Sequence, residues 1–282
     1  MLRSMNDIKD YDLTATDGSV GDIKDFYFDD VTWVVRYFVV ETGSWLFSRK
    51  VLISPMAINK PNWEEKCLSL LISKDQVKNS PDIDTDQPVS RQHEIDYLGF
   101  YGYPFYWEGA NLWGGSMTPY AINPKFTEYM PKQETSFKAN KVYEDLERKN
   151  HENIDPNLRS CEAIVGYSIH AKDGEIGHIS ELLVDEDTWA IRYFIVNTSN
   201  WFGGHKVLLS PEWVSELRWL DNSVFVDTYK QKIKDAPAFE SAEKLNRVRE
   251  EAIFEHYGLA GYWARKPKAK ITSGNYPNNP LF

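Results

Sequence analysis

The sequence is poor in the residues that carry the commonest chemistries. It has two cysteines, Cys67 and Cys161, with no CxxC spacing and no Cys/His cluster, so neither a disulfide framework nor a thiolate zinc site is expected. Such cysteine usage fits a reducing compartment. The six histidines are equally unproductive. His93-Glu94 and His151-Glu152 begin like the metal-binding helix of a zinc protease, but Tyr97 and Asp155 stand where the second imidazole belongs. Gly114-Gly115-Ser116 has no following lysine, so it is not a phosphate loop, and no GxSxG nucleophile turn occurs. Long apolar runs are missing too. The most apolar stretch, residues 33–40, is broken by Arg36 and falls far short of the roughly 20 residues that cross a bilayer as a helix. Residues 1–13 carry charges throughout and lack the apolar centre of a secretion signal. Positive charge is the minority sign, with 32 Lys and Arg against 42 Asp and Glu and a net charge of −10. That field repels phosphate backbones and argues against nucleic acid as a partner. The basic stretch Arg265, Lys266, Lys268 and Lys270 sits in a Pro-containing tail and reads as a solvated end. A soluble, cytoplasmic protein without a membrane span is expected.

Aromatic side chains are plentiful: 10 Trp, 16 Tyr and 14 Phe. Such rings fill small barrels and mark contact surfaces. The length, 282 residues, suits two modules better than one, and an internal repeat supplies them. Asp17-Gly18 recurs as Asp173-Gly174, an offset of 156 (173 minus 17). Without a gap, that offset aligns Thr32-Trp33 with Thr188-Trp189, Arg36-Tyr37-Phe38 with Arg192-Tyr193-Phe194, Trp45 with Trp201, and Ser54-Pro55 with Ser210-Pro211. Between 17 and 55, 18 of 39 positions are identical to their partners. The register persists at Trp63/Trp219, Pro81/Pro237, Tyr101-Gly102/Tyr257-Gly258 and Tyr106-Trp107/Tyr262-Trp263. A duplication is the reading, with homologous units at about 8–107 and 164–263. The chain then divides into repeat 1 (1–107), a Gly/Pro-rich linker (108–160) with a short helix at 138–150, repeat 2 (161–263) and a basic tail (264–282).

Each unit opens with β-branched and aromatic runs separated by turn residues, the pattern of short strands. Asp17-Gly18 and Asp173-Gly174 signal hairpins. A second turn is acidic, at Asp29-Asp30 and at Asp185-Glu186-Asp187. The carboxylates of Asp29, Asp30, Asp185, Glu186 and Asp187 could supply oxygens to Ca²⁺ or Mg²⁺, but the spacing lacks an EF-hand's alternation, and turn chemistry accounts for them. A helix is expected over 241–256, from the spacing of Leu245, Val248, Ala252 and Leu259, with Gly258 as its stop. Arg36 and Arg192 stand in strands that are otherwise apolar. A guanidinium there needs a partner, and an internal ion pair with Asp29 or Asp185 is expected. Trp45 and Trp201 lie in turns that do not require a large ring. With Tyr106, Trp107, Tyr262 and Trp263 they form the candidate interaction residues.

The run Tyr11…Ala15…Asp17-Gly18…Gly21…Ile23, then Asp29…Trp33…Arg36-Tyr37, then Trp45…Val51-Leu52-Ile53-Ser54-Pro55, repeated 156 positions later, resembles the PRC-barrel domain. The resemblance covers most of 8–58 and 164–214. It implies a mainly β fold with short helices, two small barrels in tandem. Members include the cytoplasmic part of the photosynthetic reaction-centre H subunit and the C-terminal part of the bacterial ribosome maturation factor, where the domain contacts proteins. This sequence has neither the membrane helix of the first nor the N-terminal domain of the second, so neither function transfers. The expectation is a non-enzymatic interaction or scaffold protein, without cofactor or catalytic residue, whose repeats pair with each other or through a homodimer. Two alternatives remain: a small-ligand or metal-ion sensor at a barrel mouth or repeat interface, and an accessory of a membrane electron-transfer complex.

Overall fold

The structure, a computed structural model, describes residues 1–83, 89–122, 157–198 and 204–264. The tail beyond 264, Trp201 and the stretch 138–150 lie outside the described residues. Repeat 1 runs β1 (Leu2–Ser4), α1 (Met5–Lys9), β2 (Asp12–Ala15), β3 (Gly18–Asp29), β4 (Val34–Thr42), β5 (Lys50–Ile53), β6 (Ile58–Asn62), β7 (Cys67–Leu70), α2 (Lys74–Lys78) and α3 (Arg91–Tyr101). Repeat 2 follows the same order: β8 (Leu158–Ser160), α4 (Cys161–Ile164), β9 (Ser168–Ala171), β10 (Gly174–Asp185), β11 (Ile191–Asn197), β12 (Lys206–Leu209), β13 (Val214–Arg218), β14 (Ser223–Val226), α5 (Lys230–Lys234) and α6 (Arg247–Tyr257). The fold is mainly β, and each repeat curls its sheet into a half-barrel, in the order β5-β4-β3-β2-β7-β6 and β12-β11-β10-β9-β14-β13.

A repeated glycine lets β3 and β10 bend. A Cβ on Gly21 would lie 2.1 Å from the Glu41 carbonyl oxygen, and one on Gly177 2.1 Å from that of Asn197. Only glycine admits this backbone approach, and its φ of 152° or 154° is open to glycine alone.

The two sheets exchange strands. Strand β2 covers β3 only as far as Gly21, leaving the second half of that edge unpaired within its own repeat. Strand β8 of repeat 2 fills the gap, with Leu158 opposite Asp29 and Ser160 opposite Tyr27. Strand β1 does the same for repeat 2, with Leu2 opposite Asp185 and Ser4 opposite Leu183. Open edges of this kind invite pairing, and here the sister repeat supplies it. Between them, Val34 bridges Ala190, its own equivalent, so a pseudo-two-fold axis passes through this pair. The N–H of Val35 donates to the Trp189 carbonyl at 2.9 Å, and that of Ile191 to the Trp33 carbonyl at 2.7 Å.

Polar contacts repeat about the same axis. Ser160 Oγ donates to Asp25 at 2.6 Å, and Ser4 Oγ donates to Glu181. Arg159 pairs with Asp30 at 3.0 Å, and Arg3 with Glu186 at 2.8 Å. Both arginines also lie over tryptophans, Arg159 on Trp219 of its own repeat and Arg3 on Trp63. The interface follows the rule of an isologous dimer, with residue i touching j′ and j touching i′.

Two expectations need correction. The helix near 241–256 begins at Arg247, where the Asn246 side chain accepts the Arg249 N–H at 3.1 Å. Its buried face is Glu250, Ile253, Phe254 and Tyr257, and Val248 is 73% exposed. Inside the interval read as linker stand the fully buried Trp113 and strand β8. Glycine and proline there shape a strap across the repeats. Trp113 Nε1 donates to the Thr188 carbonyl at 2.8 Å, the Tyr120 hydroxyl donates to the Glu186 carbonyl at 2.8 Å, and Trp189 Nε1 donates to the Tyr120 hydroxyl at 2.7 Å.

The triplets at 2–4 and 158–160 are identical, so either can dock on either sheet. Residues 157–264 expressed alone should therefore form a strand-exchanged homodimer, with the triplet of each copy on β10 of the other. Light scattering on the purified fragment reads this directly. A stable monomer with full β content would show the exchange to be dispensable.

Candidate functional site

Each repeat builds one polar cluster around the arginine of its β4 or β11. Arg36 is 1% exposed. Its guanidinium lies 3.9 Å from the Tyr106 ring centre and 4.9 Å from that of Trp113. Nη1 donates to the Leu112 carbonyl at 2.6 Å, Nη2 donates to Thr32 Oγ1 at 3.0 Å, and Asp29 Oδ2 stands 3.5 Å away. An apolar strand tolerates the cation because rings cover its faces and oxygens meet its edge. Arg36 thereby clamps the strap to the sheet. Arg192 makes a looser copy, 4.1 Å from the Tyr262 ring, 3.3 Å from Thr188 Oγ1 and 3.8 Å from Asp185.

Beside each arginine lies a buried carboxylate. Glu94 on α3 is fully buried. It accepts the Tyr106 hydroxyl at 2.6 Å, the Tyr37 hydroxyl at 3.1 Å and Arg91 Nη1 at 2.7 Å. Glu250 on α6 repeats the set with Tyr262 at 2.8 Å, Tyr193 at 3.0 Å and Arg247 at 3.2 Å. Burial pushes the Glu94 carboxyl up to about 7, against the pull of Arg91 and the two hydroxyls. Sequence reasoning weighed Glu94 only as part of a protease-like dipeptide and did not single out Glu250, Arg91 or Arg247. The register held the signal: Arg91/Arg247 and Glu94/Glu250 are identities at the offset of 156.

The acidic turns are occupied by structural bonds. Asp29 Oδ1 accepts the N–H groups of Val31 and Thr32 at 2.9 and 3.1 Å, and Asp185 Oδ1 those of Asp187 and Thr188 at 3.0 and 2.9 Å. Asp30 and Glu186 are held by the exchanged arginines, and Asp187 is exposed. Among the described residues no group of three His, Cys, Asp or Glu side chains gathers as a cation site. Cys161 is buried, and burial raises its thiol well above the ordinary range, which disfavours the reactive thiolate.

The aromatic candidates separate into different roles. Tyr106, 1% exposed, belongs to the Arg36–Glu94 cluster rather than to a contact surface, because its ring covers one charge and its hydroxyl serves another. Tyr262 plays the same part in repeat 2 and is half-buried. Trp107 is half-buried, stacked on Phe105 with Arg91 over its ring. Trp263 stays 36% exposed, with the Arg247 guanidinium 3.9 Å from its ring centre. Trp45 is half-buried, with Nε1 donating to the Val20 carbonyl at 2.7 Å and the Lys74 ammonium 4.4 Å from its ring centre. Phe47, which sequence reasoning passed over, is 95% exposed at the tip of the same loop.

These features define a barrel-domain protein whose charged clusters brace its own fold. The family model of the PRC-barrel domain matches residues 157–233, from the residue before β8 into α5. No curated protein matches the chain. No helix among the described residues is long and apolar enough to cross a membrane.

Replacing Arg36 by Met should cost about 3 kcal/mol in urea unfolding, because Asp29 and the Leu112 carbonyl lose a buried partner. Arg192→Met, at the looser site, should cost about 1 kcal/mol. Equal costs would remove the distinction drawn between the two clamps.

The raised Glu94 carboxyl carries a signed pH dependence. The folded state holds this proton more tightly than the unfolded chain, whose carboxyl has the ordinary value of 4.5. Its contribution to stability is full below about pH 4.5 and is lost as the pH rises through about 7, a swing on the order of 3 kcal/mol. The melting temperature should fall between about pH 5 and about pH 8, and Glu94→Gln should flatten that fall. Parallel profiles for the two proteins would show Glu94 to be ionised throughout.

Proposed function

We propose that the chain is a non-enzymatic, cytoplasmic interaction protein: two copies of the PRC-barrel domain, locked by strand exchange, that present a loop of repeat 1 to a protein partner. The observation that carries this reading is Phe47. Strands β4 and β5 are joined through a 3-10 turn (Ser44–Leu46), after which Phe47 and Ser48 both take φ of 55°. For bulky or branched residues that conformation costs about 1 kcal/mol or more. Glycine is the low-strain choice, and repeat 2 has Gly203-Gly204 at the equivalent positions. Repeat 1 instead holds a strained backbone that puts an apolar ring into water. The loop is braced for this. Thr42 Oγ1 donates to the Arg49 carbonyl at 2.8 Å, the Ser48 N–H donates to the Gly43 carbonyl at 3.3 Å, and Trp45 anchors the base. Rigid aromatic anchors of this kind carry most of the energy of many interfaces.

A photo-crosslinking residue at position 47 should yield one dominant protein adduct in cells. The double substitution Phe47→Gly with Ser48→Gly, which copies repeat 2, should change stability by less than about 1 kcal/mol while abolishing co-purification of that protein. Undiminished co-purification with the double variant would overturn the reading.

A further inference from the structure

The two repeats match position by position, so each serves as the internal reference for the other. On α3 the side chain at 97 is Tyr, 1% exposed. Its ring packs on Tyr37 and Tyr101 with centres 5.1 and 4.9 Å away, and its hydroxyl accepts the Ser54 N–H at 2.9 Å. On α6 the equivalent is Ile253. It is smaller than tyrosine and offers no hydroxyl to the equivalent N–H, that of Ser210. In repeat 2 Trp213 packs on Tyr257, the equivalent of Tyr101, with centres 4.5 Å apart. A cavity of about 160 Å³ lies against Ile253, walled by Leu208, Pro237, Phe239 and Leu245.

The wall is pinned rather than loose. Ala238 bridges Val207 at the outer edge of β12, and the Phe239 N–H donates to the Lys206 carbonyl at 2.8 Å. Charge sits at the rim. Arg249, the counterpart of His93, and Glu240 both line the cavity, and the Asn246 cap holds the Arg249 backbone. Arg249 contacts Glu240 at 3.3 Å, and Glu240 also binds Lys244 at 2.5 Å, so one carboxylate is shared by two cations. A guanidinium with five donors can take a second carboxylate side-on. Cavities of this volume with apolar walls accept a six-membered ring.

We propose that this cavity is a binding site for a small aromatic monocarboxylate, with the ring against Ile253 and Phe239 and the carboxylate on Arg249. The site is separate from the Phe47 loop and does not depend on its role. Phenylacetate is the probe, followed by calorimetry and ligand-observed NMR on the full chain. Binding in the millimolar range or tighter is expected. Ile253→Tyr, which enlarges the side chain against the cavity, should weaken it by about tenfold or more. Arg249→Gln should weaken phenylacetate about tenfold and leave toluene binding unchanged, which separates the carboxylate contact from the apolar one. No phenylacetate binding, or unchanged affinity in Ile253→Tyr, overturns the site. Toluene binding with no phenylacetate binding overturns the carboxylate assignment.

Discussion

The exchange of a three-residue strand between the repeats is the constraint on which the rest of the structure depends. The long strands β3 and β10 each outrun the neighbour that their own repeat provides. A half-covered edge leaves N–H and C=O groups without partners and is open to aggregation. Because β8 and β1 complete those edges reciprocally, neither half-barrel is finished without the other. The central turns are tied across the same axis. Trp33 and Trp189 both hold left-handed backbone, at φ 56° and 58°, a costly state for so large a residue. Their rings pack against Phe194 and Phe38 of the opposite repeat, with centres 5.2 and 4.9 Å apart. The strained turns therefore bury aromatic surface across the dyad, and burial of that size outweighs a strain of about 1–3 kcal/mol.

Much of this was legible in the residues, and the failures have specific causes. The offset of 156, the hairpin turns and the order of the strands follow from the alignment of the repeats, because turn chemistry and alternation are local properties. The exchange was not legible. The identical triplets at 2–4 and 158–160 lie just outside the units as first drawn, and identical strands carry no information about which sheet they join. Composition misled at 108–122, where Gly114, Gly115 and Pro119 suggest a linker, yet Trp113 and Tyr120 fasten that segment to repeat 2. Tyr106 reads from sequence like Trp107, a ring at the end of a unit. Only the fold shows that its hydroxyl meets Glu94, 12 residues away, while its face covers Arg36. Contacts made through a hydroxyl and a ring face leave no periodicity to read.

Comparison of the repeats also sorts constraint from opportunity. Positions that remain identical, such as Arg36/Arg192, Glu94/Glu250 and Tyr37/Tyr193, are those whose side chains would leave a buried charge or hydroxyl stranded if one were changed alone. Each cluster must be kept whole, and duplication relaxes that demand in neither copy. Among the positions that differ are a loop tip with Phe47 in one repeat and glycine in the other, and a helix position with Tyr97 in one and Ile253 in the other. Repeat 1 carries exposed apolar area at Phe47, and in repeat 2 a cavity lies against Ile253. Stability alone would favour glycine in the left-handed backbone at position 47 and a filled cavity at Ile253. The two departures lie in different repeats and on different elements, so the duplicated frame has room for two independent contacts while the buried arginines Arg36/Arg192 and glutamates Glu94/Glu250 stay identical.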